Sequence, residues 1–350
     1  MPFVKLNSAG EGGDSDTPQG LGGGSSFVLA HLSDPHLSSL SGVRFAALCN
    51  KRLLGYLSWL RSRRRIHSPH ILDALLSDLA ETAPDHVGLT GDLTHLGLPD
   101  EFRQAATWLN RLGSPERVMV VPGNHDTYVA APWQKTFSAW APYLAGDDED
   151  FVTGAYPSLR VRGSAALIGL SSARPSMPFL AVGTLGRRQL ARFEELLEQT
   201  GRRGLLRIVL IHHSPVPGSI AWRKRLTDAR LFAEVIARQG AELILHGHAH
   251  VSMARELVAG VGKVPVFGVP SASDSGSNPH RSACYNLYRF ERRAGAWALV
   301  VTVRAYSQVE KRFVTAQEKE LFLPDRAPDN SFPLGSDDFP RQKNATGKNS

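Results

Sequence analysis

Five times along the chain a short apolar run stops at Asp, Asn or His, and this repetition restricts the fold more than any other feature. Phe27–Leu32 ends in Ser-Asp-Pro-His (33–36), His86–Leu89 in Thr-Gly-Asp (90–92) and Val118–Val121 in Pro-Gly-Asn-His-Asp (122–126). Ile208–Ile211 ends in His212-His213, and Leu243–Leu245 in His-Gly-His-Ala-His (246–250). Amphipathic segments lie between them. Ile71, Leu75 and Leu79, with Leu72 and Leu76 beside them, predict a core-facing helix over 70–82, and Phe102, Ala105, Ala106 and Leu109 predict another over 101–112. Helices are expected again over 187–199 and 229–238, with a strand over 165–170. Strand–helix alternation predicts βαβ units and a layered α/β sheet. In such sheets ligands bind beyond the carboxyl ends of the strands, where all five polar clusters fall. Three later apolar runs (Val264–Val269, Tyr285–Phe290, Trp297–Val303) have no helical pattern between them and are expected as an antiparallel finish.

Composition narrows the class. The 350 residues allow one large domain or two small ones. No run approaches the roughly 18 apolar residues of a membrane-spanning helix. The start, MPFVKLNSAGEGGDSD, lacks the basic-then-apolar order of a secretory signal. With only Cys49 and Cys284, a disulfide framework and a Cys-rich zinc site are both excluded. The expectation is a soluble, cytoplasmic protein with flexible Gly- and Ser-rich tails at 1–26 and 325–350 and a domain over 27–310.

Within that domain, 45–66 reads as a basic amphipathic insertion. Phe45, Leu48, Cys49, Leu53, Leu57 and Leu60 fall at helical spacing, Leu54 and Trp59 lie off that stripe, and Lys51, Arg52, Arg61, Arg63, Arg64 and Arg65 are polar. Much of the formal charge of +7 sits here. The segment fits a helix packed on the sheet edge with a solvated basic end. Its alternative role is peripheral contact with an anionic membrane, at the inner membrane face. A local patch is not a basic face, so nucleic acid is not an expected partner.

Asp34, His36, Asp92, Asn124, His212, His248 and His250 form a mixed N/O donor set suited to Mn, Fe, Zn or Ni. With one carboxylate shared, seven residues fill eight ligand positions, enough for two divalent ions. Two such ions about 3.5–4 Å apart stabilise the attacking and leaving oxygens of an in-line displacement at phosphorus. Taken singly, D-x-H and Gly-Asp are most often turns. Gly-His-x-His after a strand is more specific, because buried histidines need partners that a core supplies only at a cost.

In this order the motifs resemble those of the calcineurin-like metallophosphoesterase superfamily, over roughly Val28 to Tyr306. The resemblance implies a four-layer α/β/β/α sandwich of two mixed β-sheets flanked by helices. It implies a hydrolase that cleaves a phosphodiester or pyrophosphate bond by in-line attack of a hydroxide bridging two divalent metals (Mn2+, Fe2+/Fe3+, Zn2+ or Ni2+). Asp34, His36, Asp92 and His250 would hold one metal, and Asp92, Asn124, His212 and His248 the other. His125 would protonate the leaving oxygen, and Asp126 would either orient His125 or cap its turn. Side chains of neighbouring residues on an extended segment point to opposite sides, so one of His212 and His213 is the ligand, and His212, directly after the strand, is preferred. His95, Asn278, His280 and Arg281 are expected substrate contacts. His246 is expected behind the ligands, while His31, His67, His70 and His86 carry no motif.

Protein Ser/Thr phosphatases of the superfamily carry Asp-Arg-Gly and GNHE, where this chain has GlyAspLeuThrHisLeuGly and GlyAsnHisAsp. The resemblance is therefore to the bacterial phosphodiesterase branch, of cyclic-nucleotide and glycerophosphodiester type, acting on a small or lipid-linked phosphoester. The alternatives are a UDP-2,3-diacylglucosamine-type lipid pyrophosphatase, a DNA nuclease, or a non-catalytic scaffold on the same fold. The scaffold ranks last, since no ligand is missing.

Overall fold

The computed structural model describes residues 26–324, apart from 38–39, 41–42, 44, 148–154, 261, 277–280 and 294–295. The two expected tails, but for Ser26, lie outside these residues. The strands are β1 (Phe27–Leu32), β2 (His86–Leu89), β3 (Val118–Val120), β4 (Ser158–Arg162), β5 (Ala165–Leu170), β6 (Leu206–Ile211), β7 (Leu243–His246), β8 (Met253–Ala259), β9 (Gly262–Gly268), β10 (Cys284–Arg293), β11 (Ala296–Ser307) and β12 (Arg312–Pro324). They form two six-stranded sheets, ordered β12-β11-β10-β1-β2-β3 and β4-β5-β6-β7-β9-β8. In the first, β1, β2 and β3 are parallel and β10 pairs antiparallel on the other side of β1. In the second, β5, β6, β7 and β9 are parallel, with β4 and β8 antiparallel at the edges.

The alternation along β6 shows why this is a sandwich. All six of its residues are buried. Leu206, Ile208 and Leu210 pack between the sheets with Leu29, Met119, Leu167, Leu243, Leu245 and Tyr288. Val209 and Ile211 point the other way, into a cluster with Phe193, Leu197, Phe232 and Ile236. Those four come from two of the seven α-helices among the described residues, which run in chain order α1 (Arg52–Ser58), α2 (Arg64–Ile66), α3 (Pro69–Thr82), α4 (Pro99–Leu112), α5 (Ala141–Leu144), α6 (Arg187–Arg202) and α7 (Ala229–Gln239). On the outer face of the first sheet, Ile71, Leu75 and Leu79 of α3 and Phe102, Ala105, Trp108 and Leu109 of α4 make the third cluster. A strand with apolar layers on both sides has no polar face to offer, hence its unbroken apolar sequence. The four-layer α/β/β/α architecture is the expected one.

Two expectations are corrected. Val264–Val269 is not part of an antiparallel finish: as β9 it joins β7 in parallel, in the other sheet from β10 and β11. The domain also runs past residue 310, because β12 pairs with β11 from Ser307↔Arg312 to Ala296↔Pro324. Only Phe313 and Leu323 of β12 are fully in the core, and Gln317–Glu320 are exposed. An edge strand needs few apolar positions and is protected by charge, so its sequence carries no apolar run.

The insertion departs from its helical stripe. Leu48 and Trp59 are buried, while Leu53, Leu54 and Leu57 are exposed. The segment is a 3-10 turn (Phe45–Leu48), then α1, then a π turn over Trp59–Arg63. The segment is thus broken into short turns of different pitch, so no single helical stripe runs through it. The insertion packs on Leu96 and Leu98, just after Asp92, and on Tyr128, instead of on a sheet edge. Gly55 permits the approach, since a Cβ there would fall 2.5 Å from Leu96 and 2.6 Å from the Tyr128 hydroxyl.

His86 gives a pH prediction. Its ring is buried and neither nitrogen has a partner among the described residues. Burial, then the charges of Arg160, Arg162 and Arg117, push its pKa from 6.5 down to about 3. The folded chain keeps the ring neutral, whereas the unfolded chain protonates it below 6.5. Its contribution to stability is therefore intact above that pH and is lost as pH falls toward 3. Urea unfolding of His86→Leu and the parent is expected to show a shallower acid-side loss in the variant, by at most about 1.4 kcal/mol per pH unit. Parallel curves would show that His86 is not the group responsible.

Candidate metal centre

The polar strand ends converge on one pocket at the carboxyl edges of β1, β2, β3, β6 and β7. Their loops are tied to one another through the backbone. The Asp34 amide donates to the Gly91 carbonyl (2.9 Å), that of His36 to Asp92 (3.1 Å) and that of Gly247 to His212 (3.1 Å). Of the eight non-glycine residues with positive φ among the described residues, five are Asp34, His36, Asp92, His248 and His250, at 44° to 66°. Asp and His tolerate this region better than most residues. Such conformations are costly, about 1–3 kcal/mol each, and concentrate where a site fixes side-chain direction.

Ligand-type atoms of Asp34, His36, Asp92 and His250 lie within 4.8 Å of one another. Those of His212, His213 and His248 form a second such group. Asp92 and Asn124 connect to the second group through His212, whose Nε2 lies 3.4 Å from Asp92 Oδ2 and 3.1 Å from Asn124 Oδ1. Buried Asp34 Oδ1 has no partner among the described residues other than His250, whose Nε2 it faces at 3.0 Å. Its other oxygen accepts from Ser33 Oγ (2.6 Å) and the His248 amide (3.0 Å). A buried carboxylate oxygen left bare among imidazole nitrogens fits a divalent cation, and the N/O donor set agrees.

Carbonyl partners fix the imidazole tautomers, because a carbonyl only accepts. Nδ1–H of His36 donates to Thr94 (3.0 Å) and Nδ1–H of His212 to Thr90 (2.6 Å), leaving each Nε2 for the pocket. His248 is reversed: its Nε2–H donates to the Lys224 carbonyl (3.0 Å) and Nδ1 is left. His213 has both nitrogens engaged, Nδ1 with Ser172 Oγ (2.8 Å) and Nε2 with the Ala181 carbonyl (3.2 Å). The partners thus distinguish the two adjacent histidines.

Electrostatics follow from the burial of these groups. Desolvation, reinforced by neighbouring histidines, holds His36 and His248 well below the usual imidazole range, so both rings are neutral and able to bind metal. Burial opposes ionisation of Asp34, but His250, His212 and Ser33 outweigh it and keep the carboxylate far below its usual range. Burial also opposes a charge on His212, yet Asp92, Asp34 and the Thr90 carbonyl raise it to about 9.

Of the two roles expected for Asp126, the geometry shows turn capping. Asp126 does not reach the His125 ring, whose Nδ1 donates to the His95 carbonyl (2.6 Å). The Asp126 carboxylate instead accepts from the amides of Asp92, Gly123 and Thr94 and from Thr94 Oγ, so it caps the turn. Burial and Asp92 push it up to about 7. Arg281 is exposed, and Asn278 and His280 lie outside the described residues. His95 does lie at the pocket, stacked on His36 with centroids 5.0 Å apart. His246 is buried behind the ligands, its Nδ1 bonded to the Gly247 carbonyl (3.0 Å).

His67 was not expected here. Its ring centroid is 4.5 Å from that of His36 and 6.3 Å from that of His250. Backbone bonds from Ser68 to Ser273 (2.9 Å) and from Ser275 to Ile66 (2.7 Å) bring it in, and Ser273 Oγ meets its Nδ1 at 2.7 Å. No local pattern announces this contact between residues 206 positions apart. Tyr128 is a second addition: it stacks on His125 at 5.6 Å, and Lys51 Nζ lies over its ring, 4.5 Å from the centroid.

A model of calcineurin-like phosphoesterases matches residues 27–252. A probable cyclic nucleotide phosphodiesterase of Synechococcus sp. is 26% identical over 227 residues, 64% of this chain and 78% of that one. A glycerophosphodiester phosphodiesterase of Enterobacter lignolyticus is 27% identical over 191 residues, 55% of this chain and 58% of that one, so the match spans less than two thirds of that relative. Among solved structures, a dimetal phosphatase from Danio rerio superposes with a TM-score of 0.55 at 12% identity, covering 85% of this chain and 99% of that one. Purple acid phosphatase PPD1 of yellow lupin gives 0.51 at 10% identity, covering 86% and 54%.

Gly123 tests how tightly the loops are packed. A Cβ there would collide with the Asp92 carboxylate and amide. Gly123→Ala is expected to lower stability by about 1–3 kcal/mol. It is also expected to reduce bound divalent metal, read by elemental analysis after dialysis. Metal content equal to that of the parent would mean that Asp92 is not held by this contact.

Proposed function

The chain belongs to the calcineurin-like phosphoesterases, and we propose that it is a phosphodiesterase with a dinuclear metal site built from Asp34, His36, Asp92, Asn124, His212, His248 and His250. The observation that carries this reading is the meeting of two donor groups at Asp92 and His212, with Asp34 Oδ1 left bare between them and His250.

When bound, two divalent cations supply Lewis acidity, lowering the pKa of water and neutralising charge on the phosphoryl oxygens. Asp34, His36, Asp92 and His250 would hold one, and Asn124, His212 and His248, again with Asp92, would hold the other. The carbonyls of Thr94, Thr90 and Lys224 hold the rings of His36, His212 and His248 in the tautomers this requires. Asp126 fixes the loops that carry Asp92 and Asn124. His125 donates its Nδ1 proton to the His95 carbonyl, which leaves Nε2 for the leaving oxygen; as the imidazolium, protonated on both nitrogens, the ring would give its Nε2 proton to that oxygen and return to the neutral form. His213 supports the wall of the pocket and is not a ligand.

A diester is favoured by the charge of the lining. His67, His95 and His125 surround the His36 ring, and no arginine stands after Gly91-Asp92, where Leu93, Thr94 and His95 follow. A phosphodiester carries one negative charge and needs less cationic clamping than a phosphomonoester dianion. The names of the two curated relatives, for a cyclic nucleotide and a glycerophosphodiester, point to the same bond type.

Hydrolysis of bis-p-nitrophenyl phosphate is expected to vanish after EDTA treatment and to return with Mn2+. Asp92→Asn is expected to lose both metal and turnover. His125→Ala is expected to keep its metal while kcat drops by about 10²–10⁴. Undiminished turnover by the metal-free chain, or full activity in either variant, would overturn the assignment.

A further inference from the structure

Three segments bordering the pocket share an unusual surface. Residues 43–66, 171–186 and 214–227 together hold eleven Lys and Arg and no Asp or Glu. Since the whole chain has 40 Lys and Arg against 33 Asp and Glu, the remainder holds 29 against 33 and is net negative. The positive charge of this protein therefore belongs to these three segments. They also carry six of the ten large apolar side chains that are exposed among the described residues: Leu53, Leu54, Leu57, Met177, Phe179 and Trp222. Phe179 is 80% exposed and Met177 71%.

The segments are joined in series. Lys51 Nζ donates to the Ser176 carbonyl (2.9 Å) and contacts its Oγ (3.1 Å), tying α1 to the loop that bears Met177 and Phe179. The amides of Ala181 and Gly183 donate to the carbonyls of Arg223 (2.9 Å) and Arg225 (3.1 Å), tying that loop to the one bearing Trp222. Each also reaches the pocket. Lys51 lies over Tyr128, which stacks on His125, while the carbonyls of Ala181 and Lys224 accept from His213 and His248. Arg223 and Arg225 flank the Trp222 ring, at 5.5 and 5.9 Å from its centroid.

We propose that these three segments form a docking surface for an anionic lipid bilayer, placing the pocket beside the headgroups. The basic side chains supply electrostatic attraction to such a surface, weakened by salt. Trp222 is of the residue type that favours the membrane interface, and the leucines and Phe179 gain from entering the acyl boundary. Exposed leucines gain little from nucleic acid, and a second copy of this chain would set eleven positive charges against eleven. The proposal does not depend on the phosphodiesterase reading, since binding is measured without turnover.

The full chain is expected to co-sediment with phosphatidylcholine vesicles containing phosphatidylglycerol and not with phosphatidylcholine alone, and to release as salt is raised. Leu54→Ser/Phe179→Ser/Trp222→Ser and, separately, Arg223→Glu/Arg225→Glu are each expected to weaken binding at least tenfold. Both variants are expected to keep the parent's melting temperature and metal-dependent turnover, since none of these side chains is buried. Absence of binding to the anionic vesicles would overturn the proposal. So would unchanged binding in the apolar variant, duplex DNA binding tighter than vesicle binding, or a dimer in solution that the apolar variant dissolves.

Discussion

Asp92 is the point on which the site depends. It sits directly after β2 with φ at 56°, and every polar atom it has is engaged by a different part of the chain. Its amide donates to Asp126, its carbonyl accepts from His36, one carboxylate oxygen accepts from the His125 amide and the other faces His212. One residue thereby links the loops after β1, β2, β3 and β6. The glycines beside it serve the same end: Gly123 leaves room for its carboxylate, and Gly247 leaves room for Ser33 next to Asp34. The two sheets provide the platform, and their shared apolar layer makes the relative position of the strand ends rigid.

The cost of this arrangement lies in burying carboxylates and imidazoles together. Five residues in positive-φ backbone, a bare Asp34 oxygen and imidazoles held neutral by desolvation would be a poor way to stabilise a core. They make sense together as a pocket whose charge is completed by cations. The carbonyls of Thr90, Thr94 and Lys224 add the finer control, because each decides which nitrogen of a histidine faces inward. Lys224 belongs to a basic loop of the rim, so the surface around the pocket and the orientation of His248 are physically linked.

The chain's own order of motifs made most of the site legible. Asp34, His36, Asp92, Asn124, His125, His212, His248 and His250 all follow predicted strands and all meet. What was harder to read has a consistent cause. The capping role of Asp126 depends on amides of Asp92 and Thr94, which are distant in sequence. The arrival of His67 depends on pairing of 66–68 with 273–275. β12 lacked an apolar run because an edge strand does not need one, and the helical stripe of the insertion failed because the segment is broken into a 3-10 turn, a short α-helix and a π turn.

The sequence by itself determined the layered α/β architecture and the donor set, because both are written in local order: apolar period, then a polar residue at the strand end. It also determined where the positive charge lies. Only the tertiary structure decided which hydrogen-bond partners His212 and His213 each have, what Asp126 holds, and that three separate basic segments lie side by side. Each of those depends on partners contributed by remote parts of the chain, and hydrogen-bond direction and loop contact are properties of the folded arrangement, which local residue patterns do not encode.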